Sequence, residues 1–225
     1  MRRLVVALVG LVLVAGCSSS GSGSLPAAGT LLGNSAKSMR SVTSVHFAIT
    51  VDGTLPGVPV QNADGDLNAR GQAKGSAKIS ELGQTLQVDF VLIDRTFYLK
   101  GPTGDYQRIP AALAGNLFDP TAILDPNRGV AKVLTSVRGA ATQGREKVGG
   151  VDCYKITGKV SKNVVSALLP GIGKDVDATI WVSADRQNLP VRAEFSVPGN
   201  GGSQGARVDV SISHVNEPVS VTVPA

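Results

Sequence analysis

The sequence is poor in aromatic, histidine and cysteine residues and has no block of charge of one sign. Aromatics are 4% of its 225 residues, as five Phe, three Tyr and one Trp. An interior made from such a chain is lined mainly by short aliphatic side chains. Its two histidines, His46 and His214, lie on the polar phase of strand patterns, where a surface or lining residue is the plain reading and a general base the special one. No His or Cys pair has metal-ligand spacing. Asp64-Gly65-Asp66 and Asp175-Val176-Asp177 each bring two carboxylates to a strand start, and read either as solvated turn charges or as a cation site. Lys and Arg are scattered among Asp and Glu, without the clustered basic face that nucleic acid requires, so nucleic acid is excluded as a partner. Gly171-Ile172-Gly173 lacks the third glycine and the helix of a dinucleotide fingerprint. Gly201-Gly202-Ser203-Gln204-Gly205 matches G-x-S-x-G, but in a glycine-rich loop between strands, with no helix after it and only His214 downstream. A nucleophile elbow needs a strand before it and a helix after it. The expectation is therefore no enzyme, with no catalytic residue, no metal and no cofactor.

What is present begins at the N-terminus. Arg2 and Arg3 precede an apolar run from Leu4 to Val14, followed by Ala15, Gly16 and Cys17. A basic head, a short apolar segment and small residues form an export signal. The run is shorter than the roughly twenty residues of a membrane-spanning helix, and no second run of that length follows. Cys17 after small residues resembles the lipobox of bacterial lipoproteins, which implies cleavage before it and acylation on it; the bland alternative is an ordinary signal with an incidental cysteine. Ser18–Ser24 is a Ser/Gly tether. Residues 1–16 are expected to be the signal, 17–25 the lipidated cysteine and tether, and 26–225 one domain. Losing Arg2 and Arg3 would lower the formal charge from +5 to +3. Cys153 is then the only cysteine of the domain, set in an alternating strand pattern, and reads as a buried structural thiol in preference to a reactive one.

Along the domain, the spacing of Leu31, Leu32, Ala36 and Met39 predicts a helix over 27–39. Period-two alternation predicts strands over 45–52, 65–70, 74–81, 85–93, 96–100, 141–147, 151–160, 175–183, 190–197, 206–214 and 219–223. Asp119-Pro120 and Asp125-Pro126 read as helix starts, with Val130, Val133, Leu134 and Val137 striping a helix that ends near Gly139. Another helix is expected over 161–169, with Ser161 as its N-cap. Val91 and Ile93 break the polar phase of their strand, as expected where a sheet is covered on both sides. Helices that interrupt the strands instead of alternating with them argue for α+β with an antiparallel sheet. A sheet this long curls, and helices must then cover its concave face.

The apolar strand faces are the informative feature. Phe47, Ile49 and Val51; Ala77 and Ile79; Leu86, Val88, Phe90 and Leu92; Ile180 or Trp181 with Val182; and Val191, Ala193 and Phe195 line one side. Leu117, Phe118, Ile123 and Leu124, with Val130, Val133 and Leu134, oppose them. The space between is either a filled core or an apolar cavity that takes an apolar ligand.

Residues 45–57 (VHFAITVDGTLPG), 89–98 (DFVLIDRTFY), 124–134 (LDPNRGVAKVL) and 178–182 (ATIWV) resemble, in order and spacing, the LppX/LprA/LprF/LprG lipoproteins of mycobacteria and relatives, with LprG-like and LprA-like members the nearest in pattern. The resemblance implies a strongly curved half-barrel sheet with helices packed over its concave face around a large apolar lipid cavity. It also implies binding of di- or triacylated envelope lipids, such as phosphatidylinositol-based glycolipids or triacylglycerol, and their carriage across the envelope. The implied setting is the outer face of the cell membrane, held by the acyl anchor, with a membrane lipid transporter as a further partner. The alternative is a structural or interaction lipoprotein with a solid core. The mouth of a cavity is expected near residues 125–134. Ala77, small and on the inward phase, is expected to leave room for an acyl chain.

Overall fold

Among the described residues, eleven strands form one antiparallel sheet in the order β6-β5-β4-β3-β2-β1-β11-β10-β9-β8-β7. The computed structural model describes residues 24–55, 59–81, 83–110, 119–168, 172–185, 187–199 and 205–224. The strands are β1 (Ser44–Asp52), β2 (Val60–Asn68), β3 (Gln72–Glu81), β4 (Gln84–Ile93), β5 (Thr96–Lys100), β6 (Gln107–Pro110), β7 (Arg138–Val148), β8 (Val151–Val160), β9 (Val176–Ser183), β10 (Pro190–Val197) and β11 (Ala206–Ser213). Helices are α1 (Ala28–Met39), a 3-10 turn (Pro120–Leu124), α2 (Val130–Thr135) and α3 (Lys162–Val165). The class is α+β, a curved antiparallel sheet with few helices, as the patterning implied.

Curvature has a visible cause. Register places Phe47, Gly65, Gly75, Phe90 and Leu99 in one row across five strands. A Cβ on Gly65 would lie 2.3 Å from the Lys74 carbonyl oxygen, and one on Gly75 would lie 2.1 Å from that of Asp64 and 2.9 Å from the Phe90 ring. Two glycines let the backbones of β2 and β3 close on each other, and the Phe90 ring covers the gap they leave. Glycine at a sheet bend, covered by a neighbouring aromatic, is a recurrent way to curl a sheet. Tight hairpins follow from local chemistry: Gly149 and Gly150 take φ of 56° and 85° between β7 and β8, and Asp94 and Arg95 take 48° and 60° between β4 and β5.

The concave face and the helices share a single core that contains Leu31, Leu32, Ala36 and Met39 of α1, Phe47 and Ile49 of β1, and Val133 and Leu134 of α2. α1 packs on β7, β9 and α2, and the 3-10 turn packs on β2 and β3. Among the described residues no helix is long and apolar enough to cross a membrane.

Four local expectations are corrected. Residues 219–223 form no strand, because β1 and β11, where this segment starts, are both interior to the sheet and offer no free edge. The segment instead crosses the convex face, and Val221 packs on the small cluster of Val91, Ile93, Tyr98 and Tyr106. That second cover is what the double-apolar end of β4 called for. α2 stops at Thr135, where the Thr135 and Ser136 hydroxyls donate to the Lys132 carbonyl and take up its last acceptors. The helix after Ser161 runs only to Val165. Asp125-Pro126 opens a turn, not a helix, since the Asp125 carboxylate accepts from the Asn127 and Arg128 amides. β6 escaped the pattern because four residues with one inward apolar side chain, Ile109, carry almost no periodicity.

Candidate functional site

Between the sheet floor and the helical cover lies an apolar cavity of about 50 Å³. Ile49, Ile180, Ala193, Phe195, Val210 and Ile212 form its floor, and Ile123, Val130, Val133, Leu134, Val165 and Leu168 its roof; Pro190 and Arg192 complete the wall. The floor follows from register: Ile49 pairs with Val210, Val210 with Ala193, and Ala193 with Ile180, so four inward side chains make one row. Among the described residues Arg192 is the single charged one at the wall. Its guanidinium turns to the convex face, where Nε donates to Asp209 at 2.7 Å and the head stacks 4.9 Å from the Trp181 ring. The described residues therefore present carbon to the cavity.

Of the residues expected to line a cavity, eight meet here: Ile49, Ile123, Val130, Val133, Leu134, Ile180, Ala193 and Phe195. Phe47, Ala77, Phe90, Leu92 and Val182 are buried in the same core but away from this space. Val51, Ile79, Leu86, Val88 and Leu124 are half-buried on the concave side, also away from it. Leu117, Phe118, Cys17 and Ser203 lie outside the described residues. Ala77 does not border this space; Ala193 does. Val165, Leu168, Val210 and Ile212 were not expected as lining residues. Alternation of Val208, Val210 and Ile212 along β11 was a usable signal for two of them, whereas α3 is too short to show a period.

The roof is held by a compact clasp. Asp119 accepts from the Thr121 amide at 3.0 Å and its hydroxyl at 2.6 Å, capping the 3-10 turn. Arg128 donates through Nε to Asp125 at 2.9 Å and pairs with Asp119 at 3.2 Å. The Arg128 hydrogen bond, aided by the Asn127 amide, holds the Asp125 carboxyl below its ordinary pKa. Gly129 then lets the chain turn into α2 under three carbonyls, because a Cβ there would sit 2.4 to 2.6 Å from the oxygens of Asp125, Ala122 and Ile123.

The remaining chemistry-bearing residues lie elsewhere and have structural partners. His46 meets Asp66 at 2.9 Å and the edge of His214 on the convex face. Asp64 accepts from Ser76, Asp175 from Arg138 and the Lys162 amide, and Asp177 from Lys159. No group of three possible metal ligands occurs among the described residues. Cys153 is buried on β8, and burial raises its thiol pKa, which keeps it protonated and inert.

Comparison with known proteins agrees with this arrangement. The family model described as LppX_LprAFG lipoprotein matches residues 27–221. The lipoarabinomannan carrier protein LprG of Mycolicibacterium smegmatis is 36% identical over 221 residues, covering 95% of this chain and 91% of that protein. Its namesake in Mycobacterium leprae is 32% identical over 99% of this chain and 96% of its own length. Among solved structures, LprF of Mycobacterium bovis superposes with a TM-score of 0.75 at 27% identity, covering 88% of this chain and 97% of that one. Lipoprotein LppX of Mycobacterium tuberculosis shares the fold, with a TM-score of 0.66 at 24% identity over 87% of this chain and 98% of its own.

Proposed function

The chain belongs to the LppX_LprAFG lipoprotein family, and from that premise we propose that it carries the acyl chains of an envelope lipid or glycolipid in the cavity under α2 and α3. The family is one of lipid carriers and not of enzymes. The observation that carries the reading is the apolar wall that the described residues form, with the one charged residue among them turned outward. Phosphatidylinositol-based glycolipids and triacylglycerol are the cargo classes we favour, and the lipoarabinomannan carriers among the relatives support the first.

The mechanism is carriage without chemistry. Each methylene moved from water into an apolar site is worth about 0.8 kcal/mol, so burying two chains offsets their extraction from a bilayer. Headgroup and sugars stay outside, where the protein has polar surface. A 50 Å³ space is smaller than the roughly 150 Å³ that admits a benzene-sized guest or the roughly 300–1,000 Å³ of ordinary ligand sites. Carriage therefore requires the roof of α2 and α3, of six and four residues, to lift. Residues 1–16 would direct export, acylated Cys17 would hold the protein at the outer face of the cell membrane, and residues 17–25 would tether a domain of residues 26–225. Two or more acyl chains anchor a protein stably. A membrane lipid transporter is the class of partner that would exchange cargo with it.

The narrow space also favours a second reading, an envelope lipoprotein with a solid core and no lipid ligand. Mass spectrometry of organic extracts from the purified mature chain carrying Cys17→Ser separates the two. Diacyl or triacyl lipid at about one per protein is expected. Protein that yields no lipid from a lipid-replete envelope would overturn the carrier reading and leave the solid core.

A further inference from the structure

A basic corner stands where the domain joins its tether. Asp175 accepts from Arg138 at 2.8 Å and from the Lys162 amide at 2.9 Å, and Lys159 contacts Asp177 at 2.5 Å. Register sets Arg138 opposite Lys159 and Lys159 opposite Asp177, so the group is continuous across β7, β8 and β9. Lys174 extends it, donating to the Gly199 carbonyl at 2.9 Å and pairing with no carboxylate among the described residues. Four cations thus surround two carboxylates. Arg138 and Lys159 balance those two, and Lys162 and Lys174 remain in surplus on exposed positions.

The tether reaches the domain beside this corner. The Thr142 hydroxyl donates to the Pro26 carbonyl at 2.7 Å, fixing the root of the N-terminal segment on β7. Thr142 is four positions along the strand from Arg138, about 13 Å at the rise of a strand. From Cys17 to Pro26 the chain spans at most roughly 30 Å when extended. An anchor at Cys17 therefore keeps the β7 edge of the sheet, where Pro26 is fixed, within reach of headgroups. α3 belongs to the same corner: Lys162 is its first residue, while Val165 and Leu168 face the cavity.

We propose that the Arg138, Lys159, Lys162 and Lys174 corner is the surface by which the domain lies on an anionic bilayer, with the α3 end of the cavity turned to the lipid it exchanges. The proposal rests on the reading of Cys17 as the anchor, but the corner can be tested without it. The mature chain with Cys17→Ser, which bears no acyl group, is cosedimented with vesicles of phosphatidylglycerol and phosphatidylcholine or of phosphatidylcholine alone, at low and at high salt. Binding to the anionic vesicles is expected, with loss as salt rises, and little binding to the neutral ones. Each basic side chain near an anionic surface is worth about 1 kcal/mol, so Lys159→Glu, Lys162→Glu and Lys174→Glu together should weaken binding at least about a hundredfold, at 1.4 kcal/mol per tenfold. Lys74→Glu, Lys78→Glu and Lys100→Glu, on β3 and β5 at the other half of the sheet, should leave it unchanged. Circular dichroism confirms that both triple variants are folded. Equal binding to both vesicle types, full binding by the corner variant, or equal loss in the β3 and β5 variant would overturn the proposal. The mass of the Cys17 peptide from envelope protein reports acylation separately, so failure of the anchor and failure of the corner are distinguishable.

Discussion

Two residues carry the sharpest consequences at the scale of single side chains. Ala193 is small and central in the cavity floor, paired with Val210 on one side and Ile180 on the other. Ala193→Trp would occupy the space directly. Lipid recovered per protein, read by mass spectrometry, should fall severalfold while thermal unfolding stays cooperative; undiminished recovery would show that cargo does not lie over β10. Gly129 is the second. A methyl group there meets three carbonyl oxygens at 2.4 to 2.6 Å, none of which is a movable side-chain end. Gly129→Ala should cost about 1–3 kcal/mol of stability in denaturant titration, the usual range for forced overpacking. A neutral result would mean that the turn between the 3-10 helix and α2 shifts freely.

At the scale of elements, the clasp of Asp119, Asp125 and Arg128 ties the 3-10 turn to the start of α2. Asp125 has its pKa lowered in the folded protein, first by the Arg128 hydrogen bond. A carboxyl with a depressed folded pKa contributes stability that is present above its unfolded pKa, near 4, and is lost as pH falls through the folded value. The clasp should therefore hold at neutral pH and loosen in the acid range below about pH 4. Both partners are partly solvent-exposed, so the contribution is modest. Stability followed by urea titration between pH 6 and 2 should decline more steeply for the unaltered protein than for Arg128→Gln, which lacks the pairing. Parallel curves would remove Asp125 from any role in fastening the roof.

Across the whole molecule, the C-terminal segment is a strap on the face opposite the cavity. Ser44 donates to the Glu217 carbonyl, and Asn216 accepts from the Thr43 amide and hydroxyl, so the strap is pinned before Val221 reaches Val91, Ile93 and Tyr98. Ending the chain after Pro218 should uncover that cluster. Increased binding of a hydrophobic dye and a melting temperature lower by several degrees are the expected results, consistent with a loss of about 1–3 kcal/mol. An unchanged dye signal would mean that the cluster is closed by β4, β5 and Tyr106 alone.

How much was legible in the chain divides by the range of the interactions. Period two along β1, β4, β8 and β10 and the helical spacing of α1 are local consequences of which side chains avoid water. They determined the class of fold and the inward set. Ala77 and Ala193 look alike at that level, since both are small residues on inward phases. Only the register that places β10 beside β9 and β11, with α2 and α3 above, makes one a buried core residue and the other part of a cavity floor. The outward turn of Arg192, the meeting of Arg138, Lys159, Lys162 and Lys174, and the crossing of the strap likewise depend on partners distant along the chain. The sequence by itself determined which face of each strand is apolar, because that choice is made residue by residue against water. The tertiary structure decided where the apolar faces leave a space, because a void belongs to no residue and exists only between elements that have already packed.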